Sequence, residues 1–347
     1  MTAKRFERPL DLKNGRIDMT HGSGGRAMAQ LIDQLFANAF DNPALAEGND
    51  QARLDAPAGR LAFSTDSFVI SPLFFPGGDI GSLAVHGTVN DVAMSGAKPL
   101  WLSAGFILEE GFPLSDLKRI IDSMAEAARK CGVSIVTGDT KVVEKGKADG
   151  LFISTAGIGV IPSGINLSAK HVQAGDAILI SGPLGDHGVA VMAKRENLTF
   201  EEEILSDSAP LHDLVAKMIA SGTDLHALRD PTRGGLATTL NEIAQSAGVG
   251  MRLEEQSIPV RPSVRSVCEI LGLDPLYVAN EGRLIAFCAG KDAEKLLKSM
   301  RAHKHGAEAS IIGKVVEDPR AFVEMQTTLG GQRMVDWLTG EQLPRIC

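Results

Sequence analysis

Four aspartates stand beside apolar runs or Gly-rich joints, where function tends to sit on rigid scaffolds. Asp66 lies in Ser64-Thr65-Asp66-Ser67, between two short strand-like runs. Asp91 lies in Val89-Asn90-Asp91-Val92-Ala93-Met94, on an apolar helical stretch from Ile80 to Ser95. Asp139 follows a strand-like run in Thr137-Gly138-Asp139-Thr140-Lys141, and Asp230 opens a helix in Asp230-Pro231-Thr232-Arg233-Gly234-Gly235. Singly, each reads as a cap or turn residue. An Asp inside an apolar helix, however, is costly unless it is paired or bound to metal. Hard cations such as Mg²⁺ take oxygen ligands and reach a nucleotide through a few carboxylates. Together the four point to a metal–nucleotide site.

Elements suited to phosphate accompany them. His21-Gly22-Ser23-Gly24-Gly25-Arg26 leads into a helix, so the backbone N–H groups around Gly24 and Gly25 and the helix dipole could receive an anion. The loop is neither a Walker A motif, lacking its Lys-Ser/Thr pair, nor a dinucleotide fingerprint. Gly182-Pro183-Leu184-Gly185-Asp186-His187-Gly188 and Arg233-Gly234-Gly235 are two further loops entering helices. Lys141 could neutralise a transferring phosphoryl group; its alternative is a solvated lysine, since Lys145 and Lys147 follow.

The last residue, Cys347, is one of four cysteines, with Cys131, Cys268 and Cys288. No pair has CxxC spacing and no His cluster joins them, so neither a zinc site nor a disulfide framework is expected. Cys131, Cys268 and Cys288 fall in amphipathic or apolar patterns and read as buried small hydrophobes. Cys347 has no packing explanation: it is either a frayed end or a covalent attachment point on a swinging arm. Prenylation is excluded, because its Cys stands four residues from the end. Arg345 favours the Cys347 thiolate while the terminal carboxylate opposes it, so the two effects are expected nearly to cancel.

These residues need elements to hold them. Apolar spacing predicts helices over Arg26–Phe40 and Leu114–Arg129, and strands over 61–64, 67–71, 100–108, 133–137 and 151–161. Pro162-Ser163-Gly164 breaks the pattern, after which strands and helices alternate to about Gly330. The expected class is mixed α/β, with domains at 1–162 and 163–330 and a mobile tail at 331–347. Sixteen residues from Gly331 to Ile346 span up to ~55 Å when extended, at ~3.3–3.6 Å each. A chain of 347 residues is too long for one core. A net charge of −8 argues against nucleic-acid or anionic-membrane surfaces. No apolar leader or membrane-length run is visible, and the reducing cytoplasm is the expected compartment.

The Asp66, Asp91, Asp139 and Asp230 motifs closely resemble the PurM-like superfamily of ATP-using enzymes. That superfamily includes aminoimidazole ribonucleotide synthetase, formylglycinamidine synthetase, selenophosphate synthetase and thiamine-phosphate kinase. His21-Gly22-Ser23-Gly24-Gly25 and the terminal Pro344-Arg345-Ile346-Cys347 narrow the resemblance to its hydrogenase-maturation branch, the carbamoyl dehydratases, over essentially the whole chain. The resemblance implies two α/β domains, with the N-terminal one pairing with its twin into a β-barrel homodimer. It further implies ATP in the interdomain cleft, Mg²⁺ on Asp66, Asp91 and Asp230, and a nucleotide site lined by Thr137, Gly138 and Asp139. Lys141 and Glu281, the latter in Asn280-Glu281-Gly282-Arg283, would sit near the reacting group, with Glu281 as base or else a solvated glutamate. Cys347 would receive a carboxamide from a HypF-type carbamoyltransferase. ATP-driven dehydration to a thiocyanate would follow, with delivery of cyanide to iron on a HypC–HypD complex. Two rival readings remain: a synthetase or kinase acting on a free small molecule, for which Cys347 is dispensable, and a scaffold that binds ATP without turnover.

Overall fold

The computed structural model describes residues 9–200, 202–340, 343 and 345–347. Residues 1–8 of the expected N-terminal domain and Pro344 of the terminal motif lie outside the described residues. Short helices α1 (Arg26–Leu31), α2 (Asn38–Phe40) and α3 (Pro43–Ala46) open the chain. A π-helical turn, Ile32–Ala37, joins the first two, so the helix expected over Arg26–Phe40 is present with a widened middle.

Period-two patterning then builds the first sheet from β1 (Arg60–Phe68), β4 (Lys98–Glu109), β5 (Ser134–Val143) and β6 (Leu151–Ile161), in the order β1-β6-β4-β5. A small hairpin, β2 (Phe74–Phe75) and β3 (Gly78–Asp79), precedes β4. Two expectations need correction. Asp66 does not lie between two short strands but inside β1, opposite Thr155 of β6. Asp139 likewise lies within β5, opposite Gly105, rather than after a strand. In both places alternation and ladder pairing continue through the polar residues, which apolar spacing alone could not reveal.

One face of this sheet carries α4 (Ile80–Met94) and α5 (Leu114–Cys131). The Asp79 carboxylate caps α4 by accepting from the N–H groups of Gly81 and Ser82, at 2.8 and 3.2 Å. The apolar residues of α4 point in all directions because it is buried on all sides. It packs on β1, β6 and α5, and also on α7 (His212–Ala220) and β8 (Leu225–Arg229) of the second half. Ala93 and Met94 at its end join a core with Leu211, Leu214 and Leu228. Asp91 is therefore carried on the helix that unites the two halves. The sheet's opposite face is open, with Leu61 and Phe63 56% and 69% exposed.

The second sheet adds β7 (Asp176–Ile180), β9 (Gly250–Glu254), β10 (Ile285–Ala289), β11 (Ser310–Val316), β12 (Val323–Gln326) and β13 (Gln332–Met334), in the order β13-β12-β9-β11-β7-β10-β8. Around it lie α6 (Asp186–Arg195), α8 (Gly235–Ala247), α9 (Pro262–Leu271) and α10 (Ala293–Arg301). The weak pattern beyond Gly330 conceals an edge strand: β13 pairs with β12 through main chain alone, its three side chains exposed. Among the described residues no helix is long and apolar enough to cross a membrane.

The seat of α4 depends on close approach to α5. A Cβ on Gly81 would lie 2.3 Å from the Ile120 carbonyl oxygen. Gly81→Ala is expected to cost about 1–3 kcal/mol through overpacking. Urea unfolding should show a lower midpoint at unchanged slope; an unchanged midpoint would mean that the two helices separate freely.

Candidate active site

A cavity of about 990 Å³ opens between β1, the C-terminal half of α4 and the loop from β8 to α8. Asp66, Asp91 and Asp230 all line it, with Ser64, Thr239 and Arg233. Asp91 accepts a hydrogen bond from Ser64 Oγ at 2.7 Å. Asp66 accepts one from the Ser67 N–H at 2.7 Å and faces the Arg233 guanidinium at 3.7 Å. Asp230 ends the edge strand β8 and is only 7% exposed. Burial, then the charge of Asp91, raises its pKa to about 7. Asp66 and Asp91 are raised as well, burial being the main cause in each.

Glu281 belongs to the same cluster, and is not a solvated surface glutamate: it is 3% exposed. Burial and then the charge of Asp230 hold its carboxyl well above the usual range, and Oε1 has no hydrogen-bond partner. The surrounding motif fixes it in place. Asn280 donates from N and Nδ2 to the Pro231 carbonyl at 3.1 and 3.2 Å, tying Glu281 to the Asp230 loop. At Gly282 a Cβ would stand 1.7 Å from the Asp207 carbonyl oxygen, so no side chain fits. Arg283 lies between Asp186 and Asp207, at 3.1 and 3.4 Å. Asp207 Oδ1 in turn accepts the Glu281 N–H at 3.0 Å. Asp207 carried no sequence signal, since only folding brings it beneath Glu281.

The tail ends at this cluster. Ile346 is 4% exposed and packs into the first core, with Cys347 half-buried beside it. Cys347 shares a cavity with Arg233, Ser67 and Val69, next to the carboxylate cleft, and its pKa is pushed up to about 12, by burial first and the Glu281 charge second. The near-cancelling effects expected of Arg345 and the terminal carboxylate are thus not what sets the thiol's state; burial and the Glu281 charge are. The Arg345 guanidinium turns away, pairing with Asp149 and donating from Nε to the Val69 carbonyl at 3.0 Å. The other three cysteines are buried, with pKa values pushed to about 12 for Cys131, about 11 for Cys268 and about 12 for Cys288.

The remaining candidates lie elsewhere in the chain. Thr137, Gly138 and Asp139 line a separate cavity with Phe36, Phe40 and Phe106. Lys141 is exposed and pairs with Asp139 at 2.6 Å. The loop holding Gly24 and Gly25 approaches the same strand, where a Cβ on Gly22 would lie 2.8 Å from the Val142 Cβ. Strand β5 is the far edge of the first sheet from β1, so three strand spacings, ~14 Å, separate this group from Asp66. A single chain does not bring the two groups together. The Gly182–Gly188 loop is not open to an anion: it is buried throughout, and a Cβ on Gly188 would stand 2.4 Å from Val278 Cγ1. Its glycines serve packing.

The clustered carboxylates fit a hard cation, because each raises its neighbours' proton affinity and Glu281 Oε1 is unpartnered. Among the described residues no three acidic, His or Cys side chains meet in one ligand shell. That suits Mg²⁺, which commonly takes one or two carboxylates and completes its shell with phosphate oxygens and water.

Two domains sharing a carboxylate-lined cleft define a class. Residues 48–161 match the N-terminal domain of AIR synthase related proteins, and residues 173–326 match the C-terminal domain of that family. A carbamoyl dehydratase HypE from Cupriavidus necator is 65% identical over 343 residues, covering 99% of this chain and 98% of that protein. A crystal structure of hydrogenase maturation protein HypE in complex with ATP superposes with a TM-score of 0.92 at 52% identity, covering 95% of this chain and 99% of that one. A chain from a HypE–HypF complex superposes with a TM-score of 0.79 at 51% identity, covering 89% and 99%. The chain is thus a two-domain, PurM-like protein of the AIR synthase related class. Within that class it belongs to the carbamoyl dehydratase HypE family.

The raised Asp230 pKa has a stability consequence of definite sign. Between its unfolded value, 3.8, and about 7 the native state binds more protons than the unfolded state. Stability from this group is therefore present at low pH and lost as pH rises through 7. In EDTA, Asp230→Asn should raise Tm relative to the parent by a few degrees more at pH 8 than at pH 5, at ~2–4 °C per kcal/mol. A difference in Tm independent of pH would contradict a buried Asp230 carboxyl whose proton affinity is raised in the native state.

Proposed function

We propose that the chain catalyses ATP-dependent dehydration of a carboxamide carried on the Cys347 thiol, yielding a thiocyanate that supplies cyanide ligands to [NiFe]-hydrogenase iron. The observation that carries this reading is the seat of Cys347 in a cavity with Ser67, Val69 and Ala279 that adjoins the carboxylate cleft through Arg233 and Gly234, near enough for the Glu281 and Asp66 charges to act on the thiol. Family membership and the ATP complex of a relative support it.

Dehydration of S–C(=O)NH₂ removes the carbonyl oxygen and both nitrogen protons. Transfer of a phosphoryl group from ATP to that oxygen makes it leave as phosphate, and Mg²⁺ held by one or two carboxylates at a time among Asp66, Asp91 and Asp230 would supply charge neutralisation during the transfer. Glu281 is the base. Its raised pKa means high proton affinity, which suits a weakly acidic N–H. Asp207 and Asn280 keep it in place, and the buried side chain of Ile346 anchors the residue that carries the sulfur. Arg233, on the cleft side of Asp66, places positive charge beside the sulfur.

A homodimer completes the proposal. The open face of the first sheet exposes Leu61, Phe63 and Ile107, and closing it against a second copy would make a barrel. Such pairing is the route by which Thr137, Gly138, Asp139 and Lys141, with the loop at Gly24 and Gly25, would reach a nucleotide in the neighbouring cleft. Lys141 would then face the transferring phosphoryl group. Loading of Cys347 is assigned to a HypF-type carbamoyltransferase, in line with the relative's HypE–HypF complex. The acceptor of the cyanide is assigned to a HypC–HypD complex in the cytoplasm.

Intact-mass analysis tests the chemistry after incubation with carbamoyl donor machinery, before and after ATP. The parent should gain a carboxamide and then lose one water; Cys347→Ala should gain nothing. Glu281→Gln should load normally and dehydrate at least ~100-fold more slowly, the scale of general-base catalysis. Thiocyanate formation by Cys347→Ala would defeat the carrier role and favour a free-substrate enzyme.

Phe63→Glu tests the barrel. It should convert the protein to a monomer in sedimentation velocity and weaken ATP binding with it. A monomeric variant of undiminished ATP affinity would show that one chain holds the nucleotide alone.

A further inference from the structure

Each of the last three residues accepts a hydrogen bond at a main-chain oxygen. The Cys347 terminal carboxylate accepts from the Val69 N–H at 3.0 Å, and the Arg345 carbonyl from the Ser71 N–H at 3.2 Å, so the tail lies antiparallel along residues 69–71. Helix α6 of the second domain supplies the other donors. His187 Nε2 donates to the Ile346 carbonyl at 2.8 Å, and Arg195 Nη2 to the Arg345 carbonyl at 2.8 Å. Arg195 also donates to the Ser71 carbonyl from Nε and Nη2, at 2.9 and 2.6 Å, so one guanidinium clasps both strands of the pairing.

His187 is built for this single contact. It is fully buried, stands edge-on to the Phe75 ring at 5.4 Å and shares a hydrogen bond with Ser206 Oγ at 2.7 Å through Nδ1. Burial lowers its pKa to about 4, so the ring is neutral at pH 7 and carries its one proton on Nε2, facing a carbonyl that can only accept. Such contacts recognise main chain rather than side chains. They therefore fix register, and with it how far the sulfur projects toward Glu281.

We propose that His187 and Arg195 are positioning residues, a latch across the domain junction that holds the tail's main chain in register and must open before Cys347 can react with anything outside the cleft. The consequence for dehydration rests on the carrier reading above; the consequence for thiol accessibility does not. A loosened latch frees the thiol for outside reagents and withdraws it from the base, so the two rates move in opposite directions.

The test uses the full-length protein and iodoacetamide, with mass mapping of all four cysteines. His187→Leu and Arg195→Met should label Cys347 about 5–20-fold faster than the parent, since each variant loses one side-chain hydrogen bond to a tail carbonyl. Labelling of Cys131, Cys268 and Cys288 should not change. His187→Gln, which keeps an N–H donor, should remain near the parental rate. On carbamoylated protein both latch variants should slow single-turnover dehydration while leaving KM for ATP unchanged. Unchanged Cys347 labelling in both variants overturns the latch. So does acceleration that merely parallels the three buried cysteines, which would mean general loosening of the fold. Faster labelling of Cys347 alone, with dehydration of the carbamoylated protein at the parental rate, overturns the claim that the latch sets the register of the sulfur.

Discussion

Burial of several carboxylates side by side is the constraint on which the cleft depends. Loss of water is the main reason that Asp66, Asp91, Asp230 and Glu281 resist ionising, and for Asp66, Asp230 and Glu281 the charge of a neighbouring carboxylate adds to it. Such an arrangement persists only because other interactions over-determine the positions of its members. Asp91 rides on a helix buried from both sides, Asp66 on a strand paired along its length, and Glu281 on a turn too tight for a side chain at Gly282. Positive charge placed in the cleft would relieve the cost of that burial.

Thiol chemistry meets the same dielectric logic. In its seat Cys347 is held as a neutral thiol by burial and by the negative charge of Glu281. In water a cysteine regains its ordinary pKa, so location sets reactivity. A carrier thiol protected inside and reactive outside needs no separate safeguard against premature reaction. The seat itself is made from main-chain pairing, the His187 and Arg195 hydrogen bonds to tail carbonyls and one buried apolar side chain, Ile346.

The first sheet divides the candidate residues between its two edges. Strand β1 and helix α4 carry the carboxylates, while β5 carries Thr137, Gly138, Asp139 and Lys141. The open apolar face between those edges is the surface a second copy would cover, so the proposed dimer and the proposed nucleotide site stand or fall on one surface.

Much of this protein was determined by the sequence itself. The apolar helix bearing Asp91, the strand periodicities, the packing role of Cys131, Cys268 and Cys288, and the motifs that identify the family are local patterns, legible because side-chain period mirrors backbone geometry. Where polar residues interrupt a strand the reading faltered: β1 and β5 run on through Asp66 and Asp139 because ladder pairing is indifferent to side-chain polarity. Glycine spacing made Gly182–Gly188 look like an anion loop, whereas folding fills that space with Val278 and Val264. What only the tertiary structure decided is long-range. Asp207 lies 74 positions from Glu281 and His187 lies 159 from Ile346. The state of the Cys347 thiol depends on walls drawn from both domains. Burial and charge proximity are properties of assembled space, and no local pattern in the chain encodes them.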